Sequence, residues 1–408
     1  MNIEAKPAAA ARIAGDQEAL SVAAAIAADF AAGASARDRD RLLPWPQVEA
    51  FSRSGLWAIT VPRDHGGAEV SNVTLARVVA LISAADPSLG QIPQNHYANL
   101  ERLRLYGSPE QKAFFFGRVL AGERFGNASA EPGDKRPKDH ATRLLREGDG
   151  WRLIGRKVYA TGALFAHWIP VPAISEGGEG VTVYVPRHAE GVTVIDDWDG
   201  FGQRTTASGS VIFDNVEIDP LWVAMRSAGP ARIDTTNAVS QLVHVAIDLG
   251  IARSALDETL RLLRAVSHPA RGSGVAHATQ DPLALRDVGS LTVHYHAAEA
   301  LTEKAARLTD EASASSRESD AAEALIAIAE AKILTTEYAL EASSKLFELA
   351  GTQATSSRYN LDRHWRNART HTLHDGVRWK YHSVGEFVLN RRLCDPWTLG
   401  HPYSSAPE

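Results

Sequence analysis

The sequence predicts a mainly α-helical protein with a central β domain, and three observations carry that prediction. From Asp16 to Leu120, apolar residues recur at helical spacing between clear stop signals. From about Phe125 to Ala224, glycines recur and valine, isoleucine, threonine and aromatic residues gather in short runs. Beyond Arg232 the helical texture returns in long patterns. These boundaries give an N-terminal helical domain over 1–124, an antiparallel β domain (barrel or sandwich) over 125–232, and a C-terminal four-helix bundle with a tail over 233–408.

In chain order, alanine-rich residues 7–13 read as frayed, and Asp16–Ala34 as a helix with Leu20, Ala23, Ala27 and Phe30 on one face. Pro44 and Pro46 break the chain before a short helix over Gln47–Ser54, which Gly55 stops. Helices follow at Val73–Ala84, Asn95–Tyr106 and Pro109–Leu120. Ser108-Pro109-Glu110-Gln111 supplies an N-cap, a proline at the first position and a capping-box glutamine. Strands are expected at 143–146, 151–154, 157–160, 181–185, 192–195 and 210–213, with Gly148-Asp149-Gly150 as a hairpin turn. Helices are then expected at Asn237–Val266, Pro282–Ala314 and Ser319–Ala350. The last is apolar on several faces, which suits a bundle core or a subunit interface, and predicts a homotetramer.

A 408-residue chain that is 44% hydrophobic and 23% charged is ordinary for a soluble globular protein. Its net charge of -6 argues against a general nucleic-acid binder. The single cysteine, Cys394, cannot form an intrachain disulfide. No run of about 18 apolar residues suggests a membrane span, and residues 1–16 lack the order of a signal peptide. The expectation is a cytoplasmic protein.

One stretch, Trp365 to Lys380, holds two imidazoles, a carboxylate, several cations and two indoles. It follows a long helix, and Gly376 marks a break where side chains can point into a cavity. His371 and His374, three apart, could share a helix face as metal ligands, but no third ligand motif follows, so no metal is expected.

Several short motifs, taken with the order helices, β domain, long helices, resemble the acyl-CoA dehydrogenase superfamily from about Asp16 to Asn390. Arg366-Asn367-Ala368-Arg369 stands near its usual Arg-Asp-Ala-Arg. Phe201-Gly202-Gln203-Arg204-Thr205-Thr206 resembles its glycine-x-arginine element, and Val211-Ile212-Phe213-Asp214-Asn215-Val216 the strand after it. Ile92-Pro93-Gln94-Asn95-His96-Tyr97, Tyr159-Ala160-Thr161-Gly162-Ala163-Leu164-Phe165-Ala166 and Arg369-Thr370-His371-Thr372-Leu373-His374-Asp375 resemble the flavin-dependent monooxygenase branch that serves sulfur acquisition.

Departures sharpen the resemblance. Ala350-Gly351-Thr352-Gln353 replaces the family's glycine-rich turn for the FAD diphosphate, and Pro269-Ala270-Arg271-Gly272-Ser273-Gly274 replaces its Arg-x-x-Phe-Gly. Both losses favour FMN over FAD. Asp375 occupies the place of the desaturase's glutamate base but is one methylene shorter, and a displacement of about 1 Å can cost roughly 10²-fold in rate.

The resemblance therefore implies a two-component monooxygenase. It would use reduced FMN from a separate flavin reductase, and O2, to oxygenate a small organosulfur compound. An FAD-dependent acyl-CoA dehydrogenase is the alternative. Such a monooxygenase must keep water from the flavin edge, hydrogen-bond that edge and supply a proton, work suited to imidazole. His96 and His374 are the main candidates, with Tyr97 as a weaker one, and with Asp375 orienting His374 or acting as the rival base. Asn127 and Thr161 are candidates to bond the flavin ring. Arg271, Arg366, Arg369 and His371 complete the cofactor set, although Arg366 and Arg369 could simply form ion pairs in the bundle and Arg271 could be a solvated turn residue.

Overall fold

The computed structural model describes residues 10–133, 140–148, 150–225, 234–269, 271–315 and 317–393. Cys394 and the turn residue Asp149 lie outside them. Seven helices come first: α1 Asp16–Ala31, α2 Ala34–Asp40, α3 Trp45–Arg53, α4 Asn72–Ala85, α5 Pro87–Gln91, α6 Gln94–Tyr106 and α7 Pro109–Leu120. Of the N-terminal residues expected to fray, Ile13 is buried and Ala11 N donates to Arg53 O.

The helix expected over 16–34 ends at Ala31, and a second, unexpected helix runs on from Ala34 to Asp40. Gly33 turns left-handed at φ +86°, and α2 follows. The charged run Arg37 to Asp40 does not look apolar enough for a packed helix, yet Arg37 is buried. Its guanidinium meets Asp86 at 2.9 Å and donates to the carbonyls of Phe30 and Ala32 at the end of α1. At α7 both halves of the Ser108–Gln111 capping box form.

The middle of the chain is one seven-stranded sheet in the order β5-β6-β2-β1-β3-β4-β7. Its strands are β1 Arg143–Glu147, β2 Gly150–Lys157, β3 Trp168–Ser175, β4 Gly180–Pro186, β5 Val192–Ile195, β6 Ser210–Ile218 and β7 Val223–Met225. The expectation of a wholly antiparallel domain is corrected. β1 pairs with β3 in parallel at Arg143↔Ile174 and Leu144↔Ser175, so the sheet is mixed. β3 itself is unexpected, because Pro170 and Pro172 argue against a central strand. It survives because of their parity. Trp168 N donates to Arg124 O and Ile174 N to Thr142 O, so even-numbered residues aim their N–H groups away from β4. The two missing donors lie on that same edge, and the ladder to β4 runs unbroken from Trp168 to Ile174.

The C-terminal part comprises α8 Thr236–Ala265, α9 Pro282–Ala314, α10 Glu318–Ala350, α11 Asp362–His371 and α12 Val377–Asn390. α8 packs against α4, α9 and α10, while α12 lies along α10. Close approach of α8 to α4 depends on Gly250, where a Cβ would fall 2.5 Å from Ala80 O. By composition α8 is long and apolar enough to cross a membrane, but 78% of its apolar window is buried within the protein. The helix does break between α11 and α12 as expected. Gly376 takes φ −74° and ψ 98°, however, so the break makes no use of glycine's left-handed freedom.

Candidate active site

α8 is buried along most of its length, yet it carries Ser240, His244 and Asp248 four residues apart and so on one stripe. Buried polar groups are costly unless paired, and these are paired across three helices. Lys332 of α10 reaches Asp248 Oδ2 at 2.6 Å, and the Thr336 hydroxyl donates to the same oxygen at 3.0 Å. Asp248 Oδ1 meets His371 Nδ1 at 2.5 Å, and His371 Nε2 meets His244 Nδ1 at 3.1 Å. The His244 ring stacks on His374, with centroids 3.7 Å apart and 30° between planes. His374 Nδ1 lies 3.8 Å from Asp375 Oδ2, an ion-pair rather than a hydrogen-bond distance. Lys380 of α12 also lies 3.8 Å from Asp375 and donates to Gln241 Oε1 at 2.8 Å.

Electrostatics fixes the protons along this chain. Burial raises the Asp248 pKa, but Lys332 and then His371 more than offset it and hold the carboxyl at about 2. Burial lowers His371, against the pull of Asp248. A carboxylate only accepts, so Nδ1 of the neutral His371 bears the hydrogen and its Nε2 is a lone pair. His244 must then donate from Nδ1, which leaves its own Nε2 as a lone pair. That atom is buried and unpartnered. Burial, then the neighbouring rings of His374 and His371, push His244 well below the usual imidazole range. His374 is the open end of the series, with 43% of its side chain exposed.

A second polar row borders this one. Gln94 Nε2 of α6 donates to Ser240 Oγ at 3.1 Å. Next to it, Asn95 Nδ2 donates to Asn127 Oδ1 at 3.2 Å, and Asn127 Nδ2 has only a long 3.5 Å contact to Tyr159 O. Thr206 donates to Gln203 O, so the 2.7 Å contacts run from Ser208 to Thr206 and from Thr161 to Ser208. Thr161 is thereby left as an acceptor. Gln203 N donates to Asn367 Oδ1 of α11 at 2.7 Å. The loop seats so closely that a Cβ on Gly202 would lie 2.0 Å from Arg366 O. Gln91 Oε1, both amide atoms of Gln203 and Thr370 Oγ1 are buried without partners.

The other predicted residues are placed elsewhere. His96 is fully buried. Its Nε2–H donates to Trp57 O at 2.7 Å, its Nδ1 accepts from Phe125 N at 3.0 Å, and burial takes its pKa down to about 3. Tyr97 is fully buried too, its hydroxyl donating to Leu56 O at 3.0 Å. Neither has a free group to offer a flavin, which corrects both expectations. His371 is enclosed between Asp248 and His244, so both of its ring nitrogens are already committed.

Arg366 is spent on Asp38 at 2.7 Å and Asp362 at 2.8 Å, which pins α11 to α2. Arg369, half-buried, has no side-chain hydrogen bond or ion pair among the described residues. Arg271 is exposed in the turn beyond the far end of α8. Twenty-one residues of helix separate His244 from Ala265, about 31 Å at roughly 1.5 Å per residue, so Arg271 cannot join this site within one chain. A separate hollow of about 530 Å³, lined by Arg63, His65, Arg104 and Phe116 among others, contains none of these groups.

The sequence reading missed His244, Asp248, Lys332, Lys380 and Ser208. His244 and Asp248 did leave a signal, two ionisable residues four apart inside the apolar run from Leu242 to Ile251. Among the described residues, no group of three His, Cys, Asp or Glu side chains is placed to hold a metal ion.

The family model described as Acyl-CoA dehydrogenase, N-terminal domain, matches residues 16–123, and that described as Acyl-CoA dehydrogenase, C-terminal domain, matches 242–379. Dibenzothiophene monooxygenase of Rhodococcus qingshengii is 33% identical over 402 residues, 94% of this chain and 96% of its own. The chain belongs to the flavin-dependent monooxygenase branch of the acyl-CoA dehydrogenase family. A second relative in this family, a probable FMNH2-dependent monooxygenase (SfnC) of Pseudomonas putida, is 30% identical over 389 residues, 93% of this chain and 96% of its own. The FMN-bound crystal structure of TdsC from Paenibacillus sp. A11-2 superposes with a TM-score of 0.87 at 32% identity, covering 93% of this chain and 98% of that one. The family's flavin fits the residues here. An isoalloxazine edge alternates donors and acceptors, and the unpartnered Gln91 and Gln203 amide atoms, the loosely held Asn127 Nδ2 and the acceptor Thr161 answer both kinds.

Proposed function

We propose that the protein is a reduced-FMN-dependent monooxygenase that transfers one oxygen atom of O2 to a small organosulfur compound. The observation that carries this reading is the half-exposed His374, standing at the open end of a buried histidine series beside Asp375. Reduced FMN supplies the two electrons with which O2 yields one oxygen to the substrate and one to water. Asn127 donates to the ring edge and Thr161 accepts from a ring N–H. Arg369, the uncommitted guanidinium of α11, offers a bidentate contact to the phosphate. His374 turns Nδ1 toward Asp375, which leaves Nε2 to give or take the proton that the oxygen transfer requires.

Asp375 does not suit the alternative, an FAD-dependent desaturase. Burial raises its pKa, but His374, then Lys380 and His244, hold it well below the usual carboxylate range. A carboxylate that resists protonation is a poor base for an acyl-CoA α-proton.

The protein works as a homotetramer supplied by a separate flavin reductase. Exposed apolar side chains along α9 (Leu283, Leu285, Val293) and α12 (Val388, Leu389) support the assembly, which would also carry Arg271 toward a neighbour's phosphate. To test the function, the protein is given reduced FMN, ¹⁸O2 and dibenzothiophene. One labelled oxygen in the sulfoxide is expected. Unlabelled product, or acyl-CoA-dependent bleaching of bound FAD, would overturn the reading.

A further inference from the structure

Behind His374 lie four buried groups that the proposed reaction does not use: His244, His371, Asp248 and Lys332. They touch one another in series, and the series ends on the face of the His374 ring. Two imidazoles 3.7 Å apart cannot both carry charge at low cost, since like charges at that separation repel strongly. Which of the two takes a proton is therefore set by what stands behind them. The groups facing the stack are Asp248 on the same helix, Lys332 of α10, His371 of α11, Asp375 in the turn, and Lys380 of α12.

We propose that His244 is a positioning residue for His374: its Nδ1–H is held toward His371 by the Lys332–Asp248–His371 series, so that of the two stacked rings only His374 takes up a proton, with its plane fixed by the stack. The inference rests on His374 being the acid–base group. Ionised Asp248 makes His371 a donor at Nδ1 and an acceptor at Nε2. That acceptor consumes the Nδ1–H of His244. A second proton on His244 could enter only at the buried, unpartnered Nε2, beside His374. Asp248 thus reaches His374 through two rings without touching it, and its negative charge is what lets the series remain neutral beside Lys332.

The first test reads the rings directly. The protein is labelled with ¹⁵N-histidine and its ring nitrogens are followed by NMR from pH 5 to 8, without flavin, with His244→Phe and His374→Ala to assign the two signals. His244 is expected to stay a neutral Nδ1–H tautomer throughout. A titrating His244, or an Nε2–H tautomer, overturns the proposal.

The second test reads function as product formed per reduced FMN consumed, across the same pH range. His244→Phe keeps a stacked ring but cannot donate, and it should move the profile toward lower pH. His244→Ala, which also removes the stack, should in addition lower coupling by about tenfold. Asp248→Asn should shift the profile in the same direction as His244→Phe, and much less when combined with it, because the two act through one series. Should Asp248→Asn fail to fold, His244→Phe, which is close in volume, decides alone. If His374→Ala abolishes coupling while His244→Phe leaves the profile in place, the positioning role falls and the acid–base reading stands. If His374→Ala changes nothing, both fall.

Discussion

His96 and His374 are the two histidines that the sequence motifs offer as main acid–base candidates, and they occupy opposite circumstances. His96 sits in the first helical layer with both ring nitrogens bonded to backbone, one as donor and one as acceptor. His374 sits where α8 and the α11–α12 break meet, stacked on a ring, and its side chain holds no backbone bond among the described residues. A histidine whose two nitrogens serve the main chain is a structural brace, since moving its proton would break a buried hydrogen bond. A histidine can do acid–base work only where a nitrogen remains uncommitted. The same contrast separates Arg366, which is paired with Asp38 and Asp362, from Arg369, which has no side-chain partner among the described residues.

The largest effect is expected at His96. His96→Ala leaves a cavity, an unsatisfied Trp57 carbonyl and an unsatisfied Phe125 N–H, and should cost about 3–5 kcal/mol of stability. Urea denaturation would measure it, and the protein that remains folded should keep its coupling. His374→Ala should do the reverse: normal denaturation, near-normal FMN binding, and product falling about 10²-fold with hydrogen peroxide released instead. Arg369→Ala should weaken FMN binding by roughly tenfold in a titration followed by flavin fluorescence, whereas Arg366→Ala should act chiefly on stability.

A smaller effect concerns pH. His96, His244 and His364 are kept neutral by burial, with His96 at about 3 and the other two well below the usual range. Their folded pKa values are depressed, so below roughly 6.5 the unfolded chain binds protons that the folded protein refuses. Stability is then complete above that pH and lost as pH falls. Thermal midpoints should drop steadily from pH 7 to 5. A flat profile would mean that these rings are hydrated.

The legible parts of the molecule were those written locally. The capping box at Ser108, the long apolar periodicities of α8 to α10 and the valine-rich runs of β4 and β6 all announce themselves within ten or so residues. β3 did not, because the parity that makes Pro170 and Pro172 harmless depends on which neighbour the strand has. α2 did not, because Arg37 becomes a core residue only when Asp86 meets it. Thr161, His374 and Asp375, which the proposed function uses, stand inside the quoted motifs, whereas Asn127 stands outside them. His244, Asp248 and Lys332 each look like a lone polar residue in an apolar helix, and their meaning appears only when three helices bring them together.

The central claim is that the working imidazole is His374 and that His96 is a brace. The most direct measurement compares His374→Gln with His96→Gln at equal folded fraction, by product formed per reduced FMN consumed. The account predicts a loss of about 10²-fold for the first and no more than about twofold for the second. Equal losses, or a larger loss at His96, would contradict it.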